Sequence, residues 1–229
     1  MKIAKHCREN PGAALYVHGR NLNAEEFDYC IKKDPHSALR WAERLGLTKK
    51  EMEACCRLHP LQALNFSLGH EIGDEVLDWC IRQEPGAAIK ASNSWFGNNL
   101  ELSDEQFEFC ATAEPSIALD YVSYRMTDRI FEFCARAAPG IAIQYLSERL
   151  TDQLFQYCSQ EDPWAALKFA TDRLTDEEIL LYCGDRTYPI CDLLSTEPRH
   201  PLAKRLILHH DVLDRDILEA AAKAIAPHI

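Results

Sequence analysis

The chain has 229 residues, 47% of them hydrophobic and 27% charged, with a formal net charge of −11. That balance excludes global disorder and argues against general affinity for nucleic-acid phosphates. The longest apolar runs, such as Ile179–Tyr182, fall far short of the ~20 residues a membrane span needs, so no membrane association is expected. The opening residues, Met1 to Cys7, lack the apolar stretch of a secretory signal, so none is expected.

Taken in order, the elements repeat. Prolines at 11, 35, 60, 85, 115, 139 and 163 stand 24, 25, 25, 30, 24 and 24 residues apart. Alanine follows each proline by three residues (Ala14, Ala38, Ala63, Ala88, Ala118, Ala142, Ala166), and Leu or Ile comes next. A cysteine precedes the proline by five residues in six of the seven units: Cys30, Cys55, Cys80, Cys110, Cys134 and Cys158. Cys7 lies one residue closer to its proline.

Each unit parses into two helices of about 11 residues, too short to be stable alone. The first opens at a Leu/Met-Thr/Ser-Asp step, as at Leu102-Ser103-Asp104 and Leu150-Thr151-Asp152. The hydroxyl caps free amides and the aspartate meets the positive end of the helix dipole. The second helix opens at the proline, whose missing N–H costs nothing at that position. Asn10, Asp34 and Asp162 precede it as caps, with Glu84 and Glu114 as weaker ones.

Stability must come from stacking, so the expected fold is all-α: a right-handed α-solenoid of about eight short helix-turn-helix repeats. The array is expected over residues 1–183, with an insertion near 93–99. Residues 184–229 form a helical C-terminal cap, continuous with it in one domain. Tyr182 takes the usual cysteine slot just before the pattern breaks.

The units resemble a family of uncharacterised helical repeats found in bacteria and large viruses. The resemblance rests on Ala118-Leu119-Asp120-Tyr121-Val122-Ser123 and Ala142-Ile143-Gln144-Tyr145-Leu146-Ser147. It implies a helical-repeat fold and carries no activity.

The ten cysteines recur with the helical pattern rather than clustering among loops. They read as reduced core residues of a cytoplasmic protein, Cys191 included. No metal site is expected: there is no C-x-x-C, Cys55 and Cys56 are adjacent, and His200, His209 and His210 read as surface histidines. No nucleophile motif, P-loop or dinucleotide fingerprint occurs, so neither a cofactor nor enzymatic activity is expected. Arg125, Arg149 and Arg173 end successive second helices. They are expected to reach the aspartate opening the next helix, or alternatively to hold an anionic ligand.

The expected function is a protein-binding scaffold, adaptor or inhibitor with a curved acidic surface and a basic protein partner. The first helices supply that surface, with Glu75, Asp78, Glu105 and Glu108 as binding residues. Trp95 and Phe96, in the insertion, are the aromatic anchors, or else a plug between two units. Two alternatives remain: a viral or phage anti-defence inhibitor that mimics nucleic acid, and a helical-repeat enzyme acting on nucleic acid or nucleotides.

Overall fold

The computed structural model describes residues 3–66, 72–93, 100–184, 187–197, 199–208 and 215–225, and among these every regular element is helical. The chain forms two compact units, Met1–Met126 and Thr127–Ile229. The boundary expected at 183/184 marks a change of pattern inside the second unit.

The first unit is five hairpins: α1 (Lys5–Glu9) with α2 (Pro11–Val17), α3 (Ala24–Lys33) with α4 (Pro35–Arg40), then, after the short α5 (Ala42–Leu45), α6 (Lys49–Leu58) with α7 (Pro60–Phe66), α8 (Asp74–Gln83) with α9 (Pro85–Ser92), and α10 (Asp104–Ala113) with α11 (Pro115–Val122). First helices pack on first helices (α1 on α3, α3 on α6, α6 on α8, α8 on α10). Second helices pack likewise, α2 on α4, α4 on α7, α7 on α9 and α9 on α11. The unit is therefore two layers deep.

The second unit continues the pattern with α12 (Asp128–Ala137), α13 (Pro139–Leu146), α14 (Asp152–Glu161) and α15 (Pro163–Phe169). Here α12 packs on α14 and α13 on α15. The chain then changes register through α16 (Asp176–Cys183), α17 (Thr187–Thr196), α18 (Pro201–Ile207) and α19 (Arg215–Ile225), with α17 and α18 both against α19.

The caps hold each hairpin open at defined points. Ser103, Thr127, Thr151 and Thr175 each accept a bond from the amide three residues on, and Asn23 and Thr48 do the same in earlier hairpins. Asn10, Asp34 and Asp162 cap the second helices, whereas Glu84 and Glu114 form no side-chain cap bond. The second helices are shorter than expected, six to eight residues in these two units. Val122, Leu146 and Ala170 leave helical geometry, and the chain passes into a single 3-10 turn that ends in an arginine.

The alanine column and the Leu or Ile beside it form the spine of the core. Ala38, Ala63, Ala88, Ala118, Ala142 and Ala166 are all fully buried, with Ala14 at 4% exposure. A methyl at this position lets neighbouring second helices approach closely. A glycine one residue after the proline serves the same approach at three hairpins. A Cβ on Gly12 would overlap the Asp34 carboxylate, one on Gly140 the Asp162 carboxylate, and one on Gly86 would sit 2.8 Å from Cδ1 of Ile117. Each glycine makes room for a side chain at the start of the next hairpin's second helix.

Candidate functional site

The predicted acidic residues lie on the first helices of the first unit, and a simple register governs them. Counting from the N-cap, carboxylates fill position 2 (Glu25, Glu75, Glu105) and position 5 (Asp28, Glu53, Asp78, Glu108). Cations fill position 9 (Lys32, Arg57, Arg82), and aromatics occupy position 6 in Tyr29, Trp79 and Phe109. The seven first helices α3, α6, α8, α10, α12, α14 and α16 together carry eighteen carboxylates against eight Lys and Arg. On the seven second helices α2, α4, α7, α9, α11, α13 and α15 the one carboxylate is Asp120, against Arg40, Lys90 and Lys168. The net negative charge of the hairpins therefore belongs to the first helices in each unit.

Glu75 pairs with Arg57 at 2.9 Å while 90% exposed. Arg82 donates from Nε to Asp78 at 2.8 Å and lies 3.8 Å from Glu105 on the next first helix. Gln106 donates to the second Asp78 oxygen at 3.1 Å. The hydrogen bond from Arg82, then that from Gln106, holds the Asp78 carboxyl below the usual carboxylate range. The same arginines reach the aromatic column: Arg57 lies 5.9 Å from the Trp79 ring centre and Arg82 5.1 Å from that of Phe109. Asp78 and Glu105 thus meet at one guanidinium, Glu75 sits on another, and Glu108 is half-buried on α10. The stripe expected to be acidic is a mixed lattice with a carboxylate surplus. The cations were legible as a position-9 column, which a count of acids alone passes over.

The arginines at the hairpin ends act differently from expectation. Arg149 and Arg173 reach back 21 residues to Asp128 and Asp152, the aspartates that open their own hairpins, at 3.9 and 3.2 Å. Arg173 also donates to the carbonyls of Ser147 and Leu150, and Arg125 to that of Leu102 at 3.3 Å. Each lies over a phenylalanine four residues past the N-cap: Arg125 on Phe107 at 4.7 Å, Arg149 on Phe131 at 4.1 Å and Arg173 on Phe155 at 4.2 Å. With a ring under each, a carbonyl at Arg125 and Arg173 and a carboxylate at Arg149 and Arg173, these guanidiniums are engaged in packing.

Two variants of this clamp were not visible from spacing. Arg20 covers Phe27 at 4.2 Å from the preceding turn and reaches forward, to the carbonyls of Leu45 and Gly46 and to both oxygens of Glu51. Arg205, on α18, donates to the carbonyls of Thr171 and Leu174 and to Asp176. It supplies for α16 the carbonyl and carboxylate contacts that Arg173 supplies for α14.

Nine cysteines are buried and all ten are free thiols. Burial pushes Cys55, Cys80, Cys134 and Cys158 up to about 11 and Cys30, Cys56, Cys110 and Cys183 to about 12. Such thiols stay protonated. The column also links neighbouring first helices, for Sγ of Cys80 and Cys158 faces the carbonyls of Cys56 and Ala135 at 3.7 and 3.5 Å. Where Tyr182 takes the cysteine slot, its hydroxyl meets Ser159 at 3.2 Å, a polar pair replacing a thiol in the core.

Other expectations are corrected. Cys191 is only partly buried, because it faces the gap between α17 and α19, where it lines a pocket of about 460 Å³ with Leu194, Asp216 and Lys223. His200 is 9% exposed rather than a surface histidine. Its Nδ1 accepts from the Leu202 amide at 3.2 Å and its Nε2 meets the Lys168 carbonyl at 2.7 Å, which fits a neutral ring protonated on Nε2. His209 and His210 lie outside the described residues, as do Trp95 and Phe96. Asn93, at the start of the insertion, is 7% exposed and donates to the Tyr121 carbonyl at 2.8 Å, so the polar frame of the insertion begins in the core.

Fold and surface together define an all-helical, repeat-built protein whose charge is segregated between first and second helices; no described helix is long and apolar enough to cross a membrane. Comparison with protein-family models, with curated proteins and with solved structures returns no match.

Proposed function

We propose that this chain is a non-enzymatic protein-binding scaffold, a right-handed α-solenoid of about eight short repeats, that engages a partner with a basic surface. The observation that carries this reading is the segregation of charge, eighteen carboxylates against eight cations on the first helices. Arg57 and Arg82 hold Glu75, Asp78 and Glu105 in register, so the surplus carboxylates are presented on a rigid surface. An ordered acidic face raises the encounter rate with a basic protein and orients it. The high thiol pKa values support a role outside nucleophilic chemistry, since these cysteines supply no thiolate near neutral pH.

The test is affinity capture from lysate with the wild-type chain and with a Glu75→Lys, Glu105→Lys, Glu108→Lys variant, after equal melts are confirmed. Basic proteins retained by the wild type and lost by the variant support the reading. Partners held equally by both overturn it. Trp95 and Phe96 belong to the same reading as anchors. Trp95→Ala with Phe96→Ala is expected to leave the melt unchanged and weaken the captured partner at least ~30-fold, about 2 kcal/mol. Early melting with normal binding by the folded fraction assigns the two rings to structure instead.

A further inference from the structure

The second helices of the first unit form a surface of their own, unlike the first-helix layer in chemistry. Position 5 after the proline faces outward and carries Tyr16, Arg40, Asn65 and Lys90 on α2, α4, α7 and α9, before the row ends at Asp120 on α11. Position 2, beside it, is uncharged throughout: Ala13, Ser37, Gln62, Ala87 and Ile117. Tyr16 is 50% exposed and meets Trp41 at a tilt of 49° with ring centres 5.0 Å apart, and Leu61 is 45% exposed on α7. Arg44 lies 4.5 Å from the Tyr16 ring centre, and Lys90 lies 5.5 Å from that of Tyr121. In a chain of charge −11, this row has Arg40 and Lys90 exposed and in no ion pair among the described residues.

The geometry points to a docking surface for an extended peptide segment that carries carboxylates and spaced apolar side chains, running across α2, α4, α7 and α9. Three features select that occupant. Unpaired cations on a nearly carboxylate-free row select negative charge, while exposed Tyr16 and Leu61, with half-buried Trp41 beside them, select apolar side chains. Packed helices stand about 8–10 Å apart, and three residues of extended chain span about 10 Å, so one apolar residue in three matches one helix each. Four helices then accommodate about nine to twelve residues. This face is distinct from the acidic layer of the proposed function, and either can fail without the other.

The test uses three fluorescein-labelled probes at low and moderate salt: the peptides (Leu-Glu-Asp)4 and (Leu-Lys-Arg)4, and a 12-residue oligodeoxythymidine. Anisotropy is measured with the wild type and with an Arg40→Glu, Lys90→Glu variant, both exposed positions that leave the core intact. Saturable binding of the acidic peptide, weakened at least tenfold in the variant, is expected. Trp41 fluorescence should change on binding, and the change should vanish in Trp41→Phe. No binding of the acidic peptide, or equal binding by the variant, overturns the inference. Tighter binding of the oligonucleotide, lost in the same variant, also overturns it by assigning the face to nucleic acid. Binding of the basic peptide that survives Arg40→Glu, Lys90→Glu and is lost on reversing Glu75 and Glu105 reports on the other layer; if it is the only peptide bound, the second-helix surface has no such role.

Discussion

Arg173 lies over Phe155, its guanidinium carbon 4.2 Å from the ring centre, while its nitrogens hold Asp152 and the carbonyls of Ser147 and Leu150. The pairing is selective: phenylalanine four residues past the N-cap occurs as Phe27, Phe107, Phe131 and Phe155, and each is covered by an arginine. Met52 and Leu77, at the same position, have no flat face to offer. A double-mutant cycle of Phe155→Leu with Arg173→Lys is therefore expected to show coupling of about 1 kcal/mol in chemical denaturation. Strict additivity would mean that ring and guanidinium are neighbours without mutual stabilisation.

Gly140 and Asp162 form a second coupled pair. Gly140→Ala is expected to push the Asp162 carboxylate off the Ala165 amide it caps at 3.0 Å, costing about 1 kcal/mol. In an Asp162→Ala background the same change should cost little, because the obstruction and the cap are already gone. An equal penalty in both backgrounds would place the strain elsewhere.

The repeat, its caps and its buried alanine and cysteine columns were legible because each obeys a local rule at fixed spacing. Proline opens a helix, a hydroxyl caps one, and a small residue recurs wherever two helices approach. What was not legible depends on direction. Spacing places Arg173 between Asp152 and Asp176, equally ready to reach either, and only the Phe155 ring decides for the former. Arg205 is not legible from spacing because α17 lengthens the interval to Arg173 to 32 residues, which breaks the period without breaking the contact. In the candidate surface the acids are visible in the charge count alone, whereas the cations that order them, Arg57 and Arg82, show only in the register.

Glu51 should give the chain a measurable acid sensitivity. Its carboxyl is held below its ordinary value of 4.5, first by the Arg20 hydrogen bond, against a smaller opposing effect of burial. A depressed folded-state pKa contributes stability that is present above 4.5 and lost as pH falls through the lowered value. Glu51→Gln is expected to lower Tm at pH 7 and to melt with the wild type once both are fully acidified. A difference that persists unchanged in strong acid would show that charge is not the cause.

Thiol reactivity should separate one cysteine from nine. In native protein a thiol reagent is expected to modify Cys191 rapidly and the buried nine only as the chain unfolds, with all ten reacting in denaturant. Cys191→Ser should abolish the fast phase. Rapid native labelling of several thiols would contradict the buried column.

The central claim, that the first-helix layer steers a basic protein, is tested most directly by association kinetics. The association rate of the protein captured by the wild-type chain is measured across ionic strength, with the wild type and with Glu75→Gln, Glu105→Gln, Glu108→Gln. The account predicts a rate that falls steeply with salt for the wild type, and a slower rate with a flatter salt dependence for the variant, while dissociation changes little. A rate independent of salt, or the same salt dependence in both proteins, would contradict it.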